Sequence, residues 1–391
     1  MKKIVLIMLL SLVTQVTVSS SELVVGAERY AIYLPLLEDK SVALMVNQSS
    51  LVGKQHLVDV LKRKGVNVQS ILAVEHGFRG ALGAGENVDS KVDAETGINI
   101  ISLYGKQRYL TPEQIENIDV LIYDLQDVGV RFYTYSRSLH DLLQTCHRYN
   151  KTLIVLDRPN PNGDYIAGPI LKPEFSSGLS ITPIPLVHGV TMAELAQMIN
   201  GEGWLEGEGN CQLKVVPISN YDHNTKYTLP VRPSPNLPND LSIRLYPTLA
   251  LFEGTSVSVG RGTDFPFQVL GYPDARMGDF TFITKPISGS WRELNHTGKQ
   301  LYGEKVTTSQ RFDLSIFSRW LLKFKALNKP LISRPDFFDK LLGDDSVRKS
   351  IEAGVPLEQI EASWQNGLQN YQSIRKQYLL YPDSDWIKER F

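Results

Sequence analysis

The sequence predicts an α/β protein in which a mainly parallel sheet forms the larger domain and a smaller α+β domain follows it. Short apolar runs alternate with helical patterns from residue 42 to residue 201. Strands that alternate with helices form right-handed crossovers within a mostly parallel sheet. After about Gly271 this alternation stops and helical patterns dominate. The predicted domains therefore cover residues 21–270 and residues 271–391.

The elements of the larger domain follow one another along the chain. The predicted strands lie at residues 42–46, 66–74, 120–125, 153–156 and 183–187, and the predicted helices at residues 57–64, 136–149 and 192–200. Gly65 ends the first helix, since glycine readily adopts the backbone conformation that stops a helix. Thr191 and Glu194 have the spacing of a capping box, so a helix begins there, and Gly201 ends it.

The smaller domain is predicted from its helical patterns. An isolated strand is expected at residues 280–283, and helices are expected at residues 314–327, 335–342 and 357–379. The apolar residues in these helical segments recur at the spacing of one helix face. A domain with several helices and little strand is typical of the α+β class.

The first twenty residues have the character of an export signal. Lys2 and Lys3 precede an apolar run at residues 4–10, and three serines follow at residues 19–21. A charged start, a short apolar segment and small residues are typical of a secretory signal peptide. The apolar run is shorter than the roughly 20 residues that span a bilayer. We expect residues 1–20 to be removed from an exported protein, periplasmic or secreted, with no stable membrane span.

Charge and cysteine content narrow the function further. The net charge of −1 argues against a nucleic-acid partner, which would require a basic surface. Cys146 and Cys211 are the two cysteines of the chain. Cys146 continues the helical spacing of Leu139 and Leu142, which predicts a buried free thiol in the core. Neither cysteine has the neighbours of a metal site or of a C-x-x-C redox pair.

Polar residues follow four of the predicted strands at the point where each strand ends. In open α/β sheets, ligands bind in the crevice outside the carboxyl ends of the strands. We therefore expect these side chains to gather at one rim of the sheet. They are Glu75, Asp124, Asp127, Asp157, Arg158 and His188.

The rim lacks the motifs that bind nucleotide phosphates. The chain contains no G-x-G-x-x-G after its first strand and no G-x-x-x-x-G-K-[ST]. Gly80, Gly83 and Gly85 are better explained as a loop that shapes the rim. Glycoside hydrolysis needs a carboxylic acid to protonate the leaving oxygen and a second group to attack or stabilise the sugar, which fits this rim. Metal-assisted hydrolysis stays open, because histidines and carboxylates also bind zinc.

A collinear set of motifs resembles the exo-β-N-acetylmuramidase family over essentially the whole chain after the signal. The resemblance implies a Rossmann-like catalytic domain, a smaller C-terminal domain, no metal or other cofactor, and removal of N-acetylmuramic acid from the non-reducing ends of peptidoglycan fragments. The motifs begin with Glu-His-Gly-Phe-Arg-Gly at residues 75–80 and continue at residues 84–86, 124–135, 157–161, 188–191, 233–236, 252–255, 260–263, 351–354, 363–364 and 378–381.

Candidate roles follow from the chemistry of these residues. Glu75 is the predicted general acid, kept protonated by an enclosing pocket. Asp127 is the predicted second catalytic carboxylate, and Asp124 is the alternative. Retention, inversion and attack by the 2-acetamido group of the sugar all stay open. The candidate substrate-binding residues are His76, Arg79, Arg131, Tyr133, Asp157, Arg158, Asn160, His188, Glu253 and Arg261.

The substrate implied by the resemblance carries a lactyl carboxylate that glucosamine lacks. A guanidinium recognises such a group through paired, charge-assisted hydrogen bonds. We expect at least one arginine of the rim to have no internal carboxylate partner, among Arg79, Arg131, Arg158 and Arg261.

Two alternative functions stay open at this stage. One is a metal-dependent amide hydrolase acting on cell-wall material. Its metal would be bound by two histidines and two aspartates, namely His76, His188, Asp124 and Asp127. The other is a peptidoglycan-binding protein without turnover. Chelator treatment separates the first alternative from a glycoside hydrolase, and product analysis separates both enzymes from a binding protein.

Overall fold

The computed structural model describes residues 22–79, 91–286, 295–308 and 311–391. The predicted signal peptide and the predicted loop at Gly80, Gly83 and Gly85 lie outside these residues. None of the helices in the described ranges combines the length and the apolar character needed to cross a membrane.

The described strands are β1 (Ser41–Val46), β2 (Leu51–Val52), β3 (Gln55–His56), β4 (Asn67–Ala73), β5 (Lys91–Val92), β6 (Asn99–Ser102), β7 (Val120–Asp124), β8 (Thr152–Leu156), β9 (Ala167–Ile170), β10 (Pro185–Val187), β11 (Gln212–Val216), β12 (Val269–Tyr272), β13 (Phe280–Ile283) and β14 (Gln300–Lys305). The described α-helices are α1 (Tyr30–Tyr33), α2 (Leu57–Arg63), α3 (Pro112–Ile115), α4 (Tyr135–Arg148), α5 (Met192–Gly201), α6 (Asp240–Leu249), α7 (Ser315–Ala326), α8 (Pro335–Leu342), α9 (Ser346–Glu352), α10 (Leu357–Ser363), α11 (Gln365–Arg375) and α12 (Asp385–Arg390).

The main sheet has seven strands in the order β11-β8-β7-β1-β4-β6-β5. Every neighbouring pair is parallel except the short pair of β5 and β6. The predicted α/β class is therefore confirmed. From β1 the chain first builds the sheet towards β4 and later returns to build it towards β7. The carboxyl ends of β1 and β7 thus mark a topological switch point, the usual place for a ligand crevice.

The sheet is buried on both faces, as mostly parallel sheets generally are. In β7, Leu121 and Tyr123 face the core that contains α4 and α5, whereas Val120 and Ile122 face the core that contains α2. Helix α5 begins at the predicted capping box, with both reciprocal hydrogen bonds of Thr191 and Glu194 present. These apolar layers fix the carboxyl ends of the strands and the polar residues that follow them.

The C-terminal part contains a small antiparallel sheet in the order β12-β14-β13. The strand expected to be isolated, β13, pairs with β14, so that prediction was wrong in this detail. Gly303 weakened the strand pattern of β14, because glycine has low strand propensity. The helix predicted at 357–379 is two helices, α10 and α11, separated by Trp364 at φ −99° and ψ 0°. The predicted domain boundary at residues 270–271 falls inside β12 and stays a prediction.

One predicted strand of the rim lies outside the main sheet. Strand β10 pairs antiparallel with β9 to form a separate two-stranded sheet. The backbone N–H of Arg131 donates to the carbonyl of Leu186 at 2.8 Å, and Val130 forms a bridge with Val187. These bonds attach β10 to the segment after β7, so His188 still reaches the same edge of the main sheet.

The two cysteines form a disulfide, with their Cα atoms 5.3 Å apart. The prediction of a free Cys146 thiol was therefore wrong. Its predicted burial was right, since the side chain lies on the core face of α4. Helical spacing reports only the near residues of the same helix, whereas Cys211 lies 65 residues away in the sequence. The bond ties α4 to the segment just before the edge strand β11.

Candidate active site

A cavity of about 730 Å³ lies at the carboxyl edge of the main sheet. Its wall combines residues that follow β4 and β7 with the loop before α6, the segment before β12 and helix α8. The volume is in the range of small-molecule binding sites. Of the predicted site residues, those that line it are Glu75, His76, Tyr133, Glu253 and Arg261.

Glu75 follows β4 and presents its carboxylate to the cavity. Its Oε1 accepts a hydrogen bond from the Tyr104 hydroxyl at 2.9 Å, and its Oε2 accepts one from the Thr134 hydroxyl. Thr134 immediately precedes α4. Hydroxyl donors on both oxygens hold the carboxylate in one orientation while leaving the side chain only half-buried. This is the geometry expected of a group that exchanges a proton with a ligand.

The turn after Glu75 has an unusual backbone. His76 and Gly77 both have positive φ values, 72° and 71°. The N–H of Gly77 donates to the carbonyl of Val74 at 2.9 Å and closes the turn. A positive φ is costly for a non-glycine residue, and such conformations cluster at functional sites. The turn keeps the His76 side chain at the cavity wall beside Glu75.

Two tyrosines connect Glu75 with the loop before α6. The rings of Tyr133 and Tyr135 pack edge to face with centroids 4.8 Å apart. The Tyr133 hydroxyl donates to the carbonyl of Pro233 at 2.9 Å, and the Tyr135 hydroxyl lies 3.5 Å from the carbonyl oxygen of Glu75. Burial raises the pKa of both tyrosines, so both hydroxyls stay protonated donors. The loop and the backbone of Glu75 are thus connected through one aromatic pair.

Glu253 and Arg261 form an ion pair on the opposite part of the wall. Arg261 Nε lies 2.7 Å from Glu253 Oε1. Burial lowers the pKa of Arg261, but the attraction of Glu253, followed by smaller effects that include Glu75, raises it overall. Burial and then the charge of Glu253 raise the pKa of Tyr246, with a smaller effect from Glu75. Glu75, Glu253, Tyr246 and Arg261 all line the cavity.

Asp124 does not line the cavity, because Arg158 covers it. Arg158 Nε lies 2.5 Å from Asp124 Oδ1, and its Nη2 lies 2.9 Å from Oδ2. The same Nη2 also donates to the carbonyl of Leu51 at 2.9 Å. Both partners are buried. Neither residue is presented to a ligand in this geometry, and their predicted catalytic and substrate-binding roles stay predictions that it does not favour.

Asp127 and His188 form a second buried pair behind the cavity wall. Asp127 Oδ2 accepts from the N–H of Gly129 at 2.5 Å and lies 3.5 Å from His188 Nε2. His188 Nδ1 accepts from the N–H of Val190, which places the ring proton on Nε2, facing the aspartate. Within the described ranges, Asp127 Oδ1 and His188 Nε2 have no hydrogen-bond partner. The catalytic role of Asp127 stays a prediction.

Asp157 and Asn160 bond to other parts of the chain in this arrangement, and their predicted substrate-binding roles stay predictions. Asp157 accepts hydrogen bonds from the Tyr381 hydroxyl at 2.6 Å and the N–H of Ala193 at 3.0 Å. Burial raises the pKa of Asp157 to about 7, against the lowering effect of the Tyr381 bond. Asn160 donates to the carbonyl of Val190 at 2.8 Å. Both side chains are buried and neither lines the cavity.

Three of the four predicted arginines are paired with carboxylates, and the fourth, Arg131, donates to backbone carbonyls. Arg79 lies 3.0 Å from Asp93 and 2.9 Å from Glu95. Arg158 pairs with Asp124, and Arg261 pairs with Glu253. Burial lowers the pKa of Arg131 to about 9. Its guanidinium donates to four backbone carbonyls, those of Pro169, Ile184, Leu341 and Leu342. The carbonyls surround it, so Arg131 joins three segments and does not line the cavity.

The predicted metal ligands are not assembled into one site. His76 lines the cavity, whereas His188 is enclosed beside Asp127, and Asp124 is bound by Arg158. Within the part of the chain that the structure describes, no group of three or more His, Cys, Asp or Glu side chains is placed to hold a metal ion.

Several wall residues were not identified from the sequence. Thr134 lies within the 124–135 motif, and Arg232 and Asp264 lie next to the motifs at residues 233–236 and 260–263. Adjacency to those motifs was the available signal. Tyr104 follows β6, and Lys340 lies in α8, and neither has a local pattern that indicates a site.

The fold and the cavity define an α/β protein with a carboxylate-bearing cavity at the carboxyl edge of its sheet. Models of the N-terminal and C-terminal parts of exo-β-N-acetylmuramidase NamZ match residues 42–241 and 244–381. The chain therefore belongs to the exo-β-N-acetylmuramidase NamZ family.

Individual relatives agree with this membership. The chain is 33% identical over 373 residues to peptidoglycan β-N-acetylmuramidase NamZ of Bacillus subtilis strain 168, with 89% of each protein covered. Two crystal structures of DUF1343 family proteins from Bacteroides fragilis NCTC 9343 are also similar. The first has a TM-score of 0.83 and 38% identity over 93% of this chain and 100% of that one. The second has a TM-score of 0.79 and 27% identity over 92% and 99%.

Proposed function

We propose that this protein is an exo-acting glycoside hydrolase that releases N-acetylmuramic acid from the non-reducing ends of peptidoglycan fragments. The observation that carries the proposal is the Glu75 carboxylate, held at the cavity wall by hydroxyl donors from Tyr104 and Thr134. Family membership and the 33% identity to the Bacillus subtilis enzyme supply the reaction class. No cofactor enters the proposal.

Glu75 is the general acid in this mechanism. Its proton passes to the glycosidic oxygen as the bond from C1 to that oxygen breaks. The 2-acetamido oxygen of the sugar attacks C1, and water then opens the resulting ring and returns a proton to Glu75. Neither Asp124 nor Asp127 lines the cavity in the described structure, which favours a nucleophile supplied by the substrate. A substrate with an N-trifluoroacetyl group, whose oxygen is a weaker nucleophile, should then react more slowly.

Two other carboxylates lie on the described wall. Glu253 is ion-paired with Arg261, and Asp264 is exposed to solvent. In the proposal, Glu253 stabilises the positive charge that develops on the sugar ring, since its carboxylate lines the same cavity as Glu75. Arg261 keeps that carboxylate in place.

Exo-action is supported by the size of the site. A cavity of about 730 Å³ can enclose the terminal units of a glycan, whereas a long strand bound along its length would require an extended groove. The protein should therefore remove one sugar at a time from a chain end.

Product analysis tests this function. The protein is incubated with the disaccharide in which N-acetylmuramic acid is β-1,4-linked to N-acetylglucosamine, and with longer peptide-free glycans, and the products are identified by mass spectrometry. We expect free N-acetylmuramic acid from both, and the longer chain should be shortened by one unit. Release of disaccharides from the longer chain would indicate endo-action, and the absence of turnover would favour a binding protein. Activity that a chelator abolishes would favour the metal-dependent alternative.

Export is part of the proposal. The charged and apolar start of the chain supports it, and so does the disulfide between Cys146 and Cys211, since such bonds persist mainly in oxidising compartments. Expression of the full chain in a bacterium, followed by fractionation and N-terminal mass analysis, tests it. A protein that stays in the cytoplasm with residues 1–20 intact would contradict export.

A further inference from the structure

We infer that Arg232 binds the lactyl carboxylate of the muramic acid and thereby sets the preference for this sugar over N-acetylglucosamine. The inference rests on the proposed function and adds a specificity residue to it. Arg232 lines the same cavity as Glu75 and is exposed within it. It has no ion pair and no side-chain hydrogen bond among the residues that the structure describes.

The other basic residues of the cavity wall differ from Arg232 in their engagement or placement. Arg261 is paired with Glu253 at 2.7 Å, and Arg108 approaches Asp141 at 3.8 Å. Arg334 donates to the backbone carbonyl of Glu253. Lys340 has no ion pair with a described residue, but its charge is carried by a flexible chain on α8. Arg232 thus combines an unengaged guanidinium with a place in the cavity.

The backbone around Arg232 is fixed more firmly than its exposure suggests. The side-chain amide of Gln48 donates to the carbonyls of Arg232 and Pro233 at 3.3 and 3.0 Å. The Tyr133 hydroxyl donates to the same Pro233 carbonyl at 2.9 Å. A residue that precedes proline is also restricted to extended backbone conformations. The guanidinium therefore starts from a position that is fixed relative to Tyr133, and through Tyr135 to Glu75.

The chemistry of the lactyl group matches this side chain. Muramic acid and glucosamine differ by an ether-linked carboxylate on C3, and a planar guanidinium can donate two parallel hydrogen bonds to such a group. Asp264, a carboxylate on the same wall, would instead repel it. A hydrogen bond to a charged group changes binding by an amount that corresponds to roughly 10- to 100-fold in affinity, and solvent exposure favours the lower end.

The test compares aryl β-glycosides of N-acetylmuramic acid and N-acetylglucosamine with four proteins: wild type, Arg232→Ala, Arg232→Lys and Lys340→Ala. We expect Arg232→Ala to lower kcat/KM for the muramic substrate by about tenfold or more, mainly through KM, because the bond exists in ground and transition states alike. The glucosamine substrate should lose little, since that bond never forms with it. Arg232→Lys should recover part of the preference, because it keeps the charge but loses the fork.

Lys340→Ala is the matched control, since it removes a second unengaged charge from the same cavity. It should leave the ratio of the two kcat/KM values near that of wild type. Equal losses on both substrates with Arg232→Ala, or a selective loss with Lys340→Ala instead, would overturn the inference.

A binding measurement separates this inference from the proposed function. Calorimetric titration with free N-acetylmuramic acid and free N-acetylglucosamine needs no turnover. If wild type hydrolyses neither glycoside, the proposed function fails, while selective loss of N-acetylmuramic acid binding in Arg232→Ala would still support the arginine site. Equal binding of this sugar to wild type and Arg232→Ala would overturn the site even if the enzyme is active.

Discussion

Glu75 and Asp157 both follow strands of the same sheet at the same edge, yet their surroundings are opposite. Glu75 is half-buried, accepts bonds from two hydroxyls and faces a cavity. Asp157 is fully buried and accepts bonds from Tyr381 and the backbone of Ala193. The strand end alone therefore does not create a site.

The difference comes from what lies over each strand end. Tyr381, near the C-terminus of the chain, covers Asp157. The guanidinium of Arg158 covers Asp124 at the end of β7. Among the residues that the structure describes, the hydroxyls of Tyr104 and Thr134 donate to the Glu75 carboxylate and orient it at the cavity wall. Of these three strand-end carboxylates, Glu75 is the candidate catalytic group because it lines the cavity, whereas Asp124 and Asp157 are bound by Arg158 and Tyr381.

The largest expected effect is that of Glu75→Gln, at the cavity wall. The variant keeps the size and the hydrogen-bonding oxygen but cannot protonate the leaving oxygen, so kcat on the natural disaccharide should fall by roughly 10²–10⁴-fold. An aryl glycoside with an activated leaving group needs less protonation and should lose less. Steady-state kinetics on both substrates measure this, with thermal unfolding as the check on folding. Equal losses on the two substrates would argue that Glu75 is not the general acid.

Arg158→Met, at the buried end of β7, should lower the free energy of unfolding rather than turnover. It leaves Asp124 buried without its partner, which costs about 3–5 kcal/mol of unfolding free energy. The double variant Arg158→Met with Asp124→Leu should regain much of that loss, because it removes the unpaired charge as well. Urea unfolding measures both. If the single variant is as stable as wild type but loses turnover, Asp124 and Arg158 belong to the active site, and the contrast with Glu75 is wrong.

The sequence predicted four of the seven strands of the main sheet, β1, β4, β7 and β8, because these depend on local patterns. Buried strands, helix periodicity and the capping box of Thr191 and Glu194 are all visible within a few residues. The order of strands around β1 then placed Glu75 and Asp124 at one edge, as expected. These four strands and the polar residues that follow them could therefore be predicted without any three-dimensional information, whereas β6, β11 and α6 were missed.

The covering contacts could not be predicted, because they join residues far apart in the chain. Tyr381 reaches Asp157 across 224 positions, and Tyr133 reaches Pro233 across 100. The same reason explains why two further features were missed. Cys146 bonds to a cysteine 65 positions away, and Arg131 donates to distant backbone carbonyls that include that of Leu342. A single sequence shows which residues end strands, but it does not show which of them a distant segment will enclose.

The covered carboxyl of Asp157 should give stability a pH dependence. Its folded pKa of about 7 is raised above the ordinary value of 3.8. The contribution of this group is therefore complete below the unfolded pKa and is lost as the pH rises through about 7, by about 4 kcal/mol. Asp157→Asn removes the titration. Urea unfolding of both proteins from about pH 4.5 to about pH 7.5 should show a smaller decline in the variant.

The difference between wild type and Asp157→Asn reports on this carboxyl, because the rest of the chain is the same in both proteins. Asn keeps an acceptor for the N–H of Ala193 and lets the Tyr381 hydroxyl turn to accept a hydrogen bond. Parallel stability curves for Asp157→Asn and wild type would mean that the carboxyl is not held protonated by burial. Burial of Asp157 would then not distinguish its protonation from that of an ordinary carboxyl.

The smallest expected effect concerns how Glu75 is held, and it is tested with Tyr104→Phe. The change deletes one hydroxyl that donates to Oε1 at 2.9 Å and leaves the ring in place. A single lost hydrogen bond of this kind is worth about 1 kcal/mol, which corresponds to roughly a fivefold loss in kcat/KM. The melting temperature should hardly change, because Glu75 is half-buried and water can replace the donor.

Thr134→Val removes the donor to Oε2 and serves as the matched variant. If the hydroxyls orient the carboxylate, each variant lowers kcat more than it raises KM. Large losses of stability with normal kcat would instead mean that Glu75, like Asp157, is a structural carboxylate.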